Sequence, residues 1–210
     1  MTKPQSGGLL RSVLSIIRRP ARGPVHPAPV PRRMEQSDRL HLACGSNVKP
    51  GWSNVDLQDN GPVIGWDLTQ PLPVNDNFMR LVYCEHFIEH VECADAQRLL
   101  HECQRILQPG GVLRISTPDL RKLIDEYLAG RLGEWHDVLW VPVTPARLMN
   151  EGMRAWGHKF VYDAAEFEWL LSSIGFGTVR RVAWGESAVA GLQLVESRPD
   201  HQELIYECVK

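Results

Sequence analysis

Two short apolar runs constrain this chain more than anything else in it. Leu40 to Ala43 leads into the small-residue turn Cys44-Gly45, and eleven residues after Gly45 a second run, Asn54-Val55-Asp56, ends on a carboxylate. In an open α/β sheet such a turn lets backbone N–H groups approach a ligand, and a carboxylate closing the next strand accepts hydrogen bonds from ribose hydroxyls. The pairing predicts an edge that binds an adenosine-containing cofactor. A strand ending at glycine is common without any ligand, so the turn alone decides little.

From Asp38 onward, strand-like and helix-like segments alternate. Strands are expected at 40–43, 53–57, 63–66, 81–84 and 112–116, and helices at 95–107, 120–128 and 163–174. Leu99, Leu100, Cys103, Ile106 and Leu107 share one helical face, and Pro109-Gly110-Gly111 stops that helix. The link between the first two strands, SNVKPGW, is too short for a crossover helix, so the first helix is reduced to a turn. This alternation implies a mostly parallel, doubly wound α/β sheet. Gly45, Asp56, Asp67, Glu85-His86 and Thr117 to Asp119 then all fall at carboxyl ends of strands, where such sheets place ligands. The structural alternatives are that Asp67 caps a turn and Asp119 caps the following helix.

At 210 residues and 43% apolar content, the chain fits one domain and a tail. Five cysteines without a C-x-x-C pair predict a reduced, intracellular protein, cytoplasmic in location. No apolar run reaches the roughly 18 residues of a membrane span. Residues 1–33 carry +7 against −2 for the whole chain, which leaves −9 on the remainder. An acidic body argues against nucleic acid as a partner. The expected domains are a basic, Pro-rich tail over 1–37 and a folded unit over 38–210. Leu9 to Arg19 has the makings of a short cationic amphipathic helix, so weak membrane-surface contact and organelle targeting are alternatives to a solvated tail. Met34, just before the folded unit, is a candidate functional start.

LHLACG, PGWSNVDL, WDLTQPLPVNDNFMRLVYCEHFIEHV and HECQRILQPGGVLRISTPDL together resemble class I S-adenosylmethionine-dependent methyltransferases, and are most similar to a small bacterial type. WGHKFVYD, SSIGF and LIYECVK extend the resemblance over 38–210. It implies a Rossmann-like, mostly parallel seven-stranded sheet with a reduced first helix and a helical, aromatic insertion after strand five. It further implies S-adenosyl-L-methionine as cofactor. Ala43, Cys44 and Gly45 would line its methionine part, Asp56 would hold the ribose, Asp67 and Leu68 would border the adenine, and Glu85 and His86 would sit beside the sulfonium. The chain departs from the type at Ala43, where glycine is usual, and at His41, where an acidic or amide residue is frequent.

His86-Phe87-Ile88-Glu89-His90 also spells H-x-x-E-H, the inverted zinc-peptidase signature. A strand ending directly before it and a helix starting at Cys93 argue against the long helix a peptidase needs. Plain structural roles, or a divalent metal on His86, Glu89 and His90, are the alternatives; no metal is expected. The region from Gly130 to Phe160 concentrates Trp135, His136, Trp140, Met149, Asn150, Met153, Trp156 and His158, suiting a lid over a ring-shaped acceptor, with Asn150 and Trp156 as substrate contacts. Packing of a helical cap on the domain's own core explains any single one of them equally well. The expected activity is methyl transfer to a small-molecule or glycan hydroxyl, with His158 or His86 as the base. A non-catalytic cofactor-binding module and a metal-dependent hydrolase are the competing classes.

Overall fold

In the computed structural model, which describes residues 32–132, 142–198 and 203–210, β1 (Arg39–Leu42), β2 (Ser53–Asp56), β3 (Val63–Gly65), β4 (Met79–Glu85), β5 (Leu107–Pro118), β6 (Thr178–Arg181) and β7 (Glu203–Val209) form one sheet. Their order is β3-β2-β1-β4-β5-β7-β6. The first five strands run parallel, and β7 is antiparallel to both β5 and β6. Among the described residues four α-helices accompany them: α1 (Cys93–Ile106), α2 (Leu120–Ala129), α3 (Pro145–Arg154) and α4 (Ala164–Ser173). Among the described residues no helix joins β1 to β2, as the short connection predicts.

Strand alternation sends two sets of side chains to opposite faces. Leu40, Leu42, Val82, Cys84, Leu113 and Ile115 meet Leu99, Leu100, Cys103 and Ile106 of α1 and Phe167, Leu170 and Leu171 of α4 in the main core. Burying each such aliphatic side chain contributes about 1.5–3 kcal/mol. The other face is covered differently. Leu81, Tyr83 and Val112 pack against Leu192 and Val195, from the irregular segment between β6 and β7, and no helix of the described residues joins that cluster.

Local chemistry accounts for the helix ends. Asp119 caps α2 by accepting from the Arg121 amide at 2.9 Å, Thr144 caps α3 by accepting from that of Arg147 at 3.2 Å, and Asp163 caps α4 by accepting from that of Glu166 at 2.8 Å. The helix α3 falls in the helical, aromatic insertion expected after strand five; Thr144 followed by Pro145 in the first helical turn marks its start. Gly152 lets α3 lie close to α2, since a Cβ there would stand 2.6 Å from the Leu123 side chain. β5 begins earlier than 112: Met79 pairs with Leu107 and Leu81 with Val112, so Gln108 to Gly111 bulge out of the ladder, with Gly110 at φ 78°.

The packed structure also reaches back past the expected boundary at Asp38. Met34 is fully buried in the main core, and Arg33 pairs with Asp59 at 2.7 Å. Residues 1–31, with the Leu9 to Arg19 segment, lie outside the described residues, as do Trp135, His136 and Trp140. Among the described residues, no helix is long and apolar enough to cross a membrane.

Candidate active site

Register brings the polar strand ends together. Leu42 pairs with Cys84 and Glu85 with Ser116, so the chain leaves β1, β4 and β5 at one height on the carboxyl edge. Ala43, Gly45 and His86 all turn there with left-handed backbone, at φ 52°, 52° and 51°. For Ala43 and His86 this is a strained conformation, held by the structure around it.

The turn after β1 and the carboxylate ending β2 form one unit. The Cys44 amide donates to Val55 O at 3.0 Å, and the Gly45 amide donates to Asp56 Oδ2 at 2.8 Å. The Leu57 amide donates to Asp56 Oδ1 at 2.7 Å. Two amides thus aim the half-buried Asp56 carboxylate, and each oxygen keeps a lone pair for a hydroxyl. Such a carboxylate beside an open glycine turn suits a ribose diol, so these residues fit S-adenosylmethionine. Cys44 is a buried neutral thiol, pushed up to about 12 by its burial and by the neighbouring Asp56. Asp67 caps a turn, its Oδ1 accepting from the Thr69 amide at 2.9 Å and from the Thr69 hydroxyl at 2.7 Å. Leu68 next to it is buried.

Glu85 has a partner that the sequence does not announce. Its Oε1 accepts from the Ser197 amide at 2.8 Å and its Oε2 from the Ser197 hydroxyl at 2.7 Å, so the carboxylate expected beside the sulfonium holds the segment between β6 and β7. The same segment is held by Lys49, whose Nζ donates to Val195 O at 2.6 Å, and by Arg114. That arginine is fully buried, pairs with Glu196 and with Glu207, and donates to Glu186 O at 2.8 Å.

Beyond β4 lies a cluster of three histidines and two glutamates. His86 Nδ1 is 3.1 Å from Glu89 Oε1, and its Nε2 is 3.1 Å from Glu203 Oε2 at the head of β7. Burial opposes charge on this ring, but Glu203 and then Glu89 outweigh it and raise His86 to about 9. Burial likewise opposes charge on Glu89, yet His86 first, then His90 and His158, bring it down to about 2. Its Oε2 accepts from the Thr117 hydroxyl at 3.1 Å. His90 and His158 are both lowered, chiefly by burial and only partly offset by Glu89. Their rings meet at 5.0 Å.

The H-x-x-E-H letters do not make a peptidase helix. Ile88–His90 is a single 3-10 turn, entered from His86 at positive φ. Two zinc-binding histidines of that signature share one helical face; here His86 instead faces Glu203. Sequence reading missed Glu203, Ser197 and Arg114 altogether, and no local signal marked them. Of the expected substrate contacts, Trp156 sits 5.7 Å from the His158 ring at φ 56°, whereas the exposed Asn150 turns its amide back to Ala146 O at 2.9 Å, within its own helix.

Residues 49–115 match the family model described as a methyltransferase domain. No curated protein sequence matches the chain. Among solved structures, a SAM-dependent methyltransferase from Archaeoglobus fulgidus is similar with a TM-score of 0.52 and 16% identity, over 85% of this chain and 88% of that one. A SAM-dependent methyltransferase from Thermotoga maritima, described as a possible histamine N-methyltransferase, is similar with a TM-score of 0.51 and 15% identity, over 86% of this chain and 91% of that one. The match over residues 49–115 and the fold are those of S-adenosylmethionine-dependent methyltransferases, enzymes for which S-adenosylmethionine is the expected cofactor.

Proposed function

We propose that this methyltransferase acts on a hydroxyl of a small molecule or glycan. Ala43, Cys44 and Gly45 receive the methionine part of the cofactor, Asp56 the ribose, and Asp67 and Leu68 the adenine edge. The bound cofactor supplies a methyl carbon activated by its sulfonium. What remains for the protein is to align the acceptor, exclude water and accept a proton.

The observation that carries the hydroxyl reading is the cluster beyond β4, because an alcohol must shed a proton as it is methylated. Of the two histidines expected as base, His86 has both ring nitrogens facing carboxylates at 3.1 Å. His158 is differently placed. Its Nδ1 is 3.0 Å from Gly152 O, and a carbonyl only accepts, so Nδ1 carries the hydrogen and Nε2 the lone pair. His158 Nε2 is therefore a basic atom that the cluster offers, with Trp156 beside it as an aromatic wall for the acceptor.

The test is transfer of labelled methyl from S-adenosylmethionine into fractionated native extract. Label appearing on oxygen in a small-molecule or glycan product supports the reading. Label confined to protein or nucleic acid overturns the acceptor class. Binding of S-adenosylhomocysteine with no transfer into any fraction identifies a non-catalytic module instead.

A further inference from the structure

Glu89, His90 and His158 each offer one ligand atom, and the three atoms lie within 4.8 Å of one another. Donors bound to a common ion at about 2.0–2.2 Å stand roughly 3–4 Å apart, so small side-chain rotations suffice to close on one. Glu89 is fully buried and His90 nearly so, with 0% and 6% of their side chains exposed. A carboxylate in such a place is not there for solubility.

The supports around these three residues are those of a held ligand set. The Thr117 hydroxyl donates to Glu89 Oε2 at 3.1 Å, and His86 stands 3.1 Å from Oε1, which fixes the carboxylate from two sides. The Nδ1–H of His158 is spent on Gly152 O, and this orients Nε2, the usual arrangement of a metal-binding histidine and its outer partner. The two chain segments are themselves joined, since the Lys159 and Phe160 amides donate to Glu89 O at 2.6 and 3.3 Å. Next to His158, Trp156 has left-handed backbone at φ 56°, a strain of the kind retained at functional sites.

From this we infer that Glu89, His90 and His158 form a binding site for one divalent transition-metal ion. One carboxylate and two imidazoles suit Mn2+, Fe2+, Co2+ or Zn2+, and three protein ligands leave coordination positions open. This deepens the reading of a hydroxyl acceptor and rests on it for its purpose: an ion here orients the hydroxyl and favours loss of its proton. In that state His158 is a ligand and not the base: the ion lowers the pKa of the hydroxyl, and the proton leaves to solvent water.

The experiment uses the full chain without a histidine tag, stripped with chelator and titrated calorimetrically with Mn2+, Co2+ and Zn2+ separately. One equivalent per chain is expected for at least one ion, with Co2+ giving a visible d–d absorption. Glu89→Gln, His90→Gln and His158→Ala should each weaken binding tenfold or more, while the exposed His101→Ala leaves it unchanged. Should a buried variant fail to fold by circular dichroism, the less buried His158→Ala decides. No stoichiometric binding by the folded wild type, or binding undiminished in His158→Ala, overturns the site. S-adenosylhomocysteine binding by the stripped protein is measured alongside: its loss would count against the methyltransferase reading, whereas its persistence without metal binding would count against the metal site alone.

Discussion

The amide of Gly45 donates to Oδ2 of Asp56 at 2.8 Å, which ties the turn after β1 to the carboxylate ending β2. The two features that stand eleven residues apart in sequence are thus one device. Asp56→Ala removes the carboxylate proposed to hydrogen-bond the ribose, a charge-assisted interaction of about 1.5–3 kcal/mol. S-adenosylhomocysteine binding measured by calorimetry should weaken roughly tenfold or more, with a circular dichroism spectrum that still matches wild type. An unchanged dissociation constant would remove Asp56 from the cofactor site.

Ala43 sits at φ 52°, a conformation that costs an L-residue roughly 1–2 kcal/mol and a β-branched one more. Ala43→Gly should therefore keep the urea midpoint at or above that of wild type. Ala43→Val should lower stability by about 2 kcal/mol or more and weaken cofactor binding with it. Equal stability of the two variants would show that the turn is not held as described.

Arg114 is buried against Glu196 and Glu207, and Arg180 pairs with Glu207 at 2.8 Å from the edge of the cluster. Removing one partner from a buried ion group leaves its counter-charges unmatched, at a cost of about 3–5 kcal/mol. Arg114→Met should lose that much in equilibrium unfolding, and amide exchange should rise first between residues 183 and 197. Uniform exchange across the sheet, with no early loss in that segment, would contradict the account.

His41 is buried in the sheet, stacks at 4.9 Å on Tyr83, and its Nδ1 is 3.2 Å from Asn54 Oδ1. Burial first, and Lys49 second, lower its pKa from 6.5 to about 3. The folded state therefore binds this proton less readily than the unfolded state, and stability contributed by neutral His41 is present above pH 6.5 and is lost as pH falls toward 3. Urea titrations between pH 6 and 4 should show His41→Gln with a slope shallower than wild type by close to one proton, or about 1.4 kcal/mol per pH unit. Parallel slopes for the two proteins would mean that His41 is protonated in the fold.

How much of this was legible depended on how far apart the cooperating residues lie. β1 to β5, α1, α2 and α4 announce themselves because their periodicity is local, and Asp56 can be paired with Gly45 because a strand-turn-strand spacing carries that meaning. A helical insertion after strand five was expected, but the bounds of α3 were not, although Thr144-Pro145 marked its start. Glu85 was read as a strand-end residue beside the cofactor, but its bond to Ser197 was not foreseen, since nothing near it in sequence speaks of that residue. His86 was expected as a base, but the pair of carboxylates facing it was not foreseen, since Glu203 belongs to the last strand. Arg114 and Glu207 carry no local mark of burial, and only the segment laid over that face explains why they are buried.

Ser197 grips Glu85 across 112 residues of chain, and Glu203, which faces His86, follows soon after. During synthesis the first five strands can emerge and pair while this edge still lacks both. A nascent chain halted before β6 would present Arg114 to solvent on an open sheet face and would leave His86 with one carboxylate instead of two. Assembly of the cluster around His86 is in this sense a late event, and shortening the protein from its carboxyl end should abolish that cluster well before it abolishes the turn that joins Gly45 to Asp56.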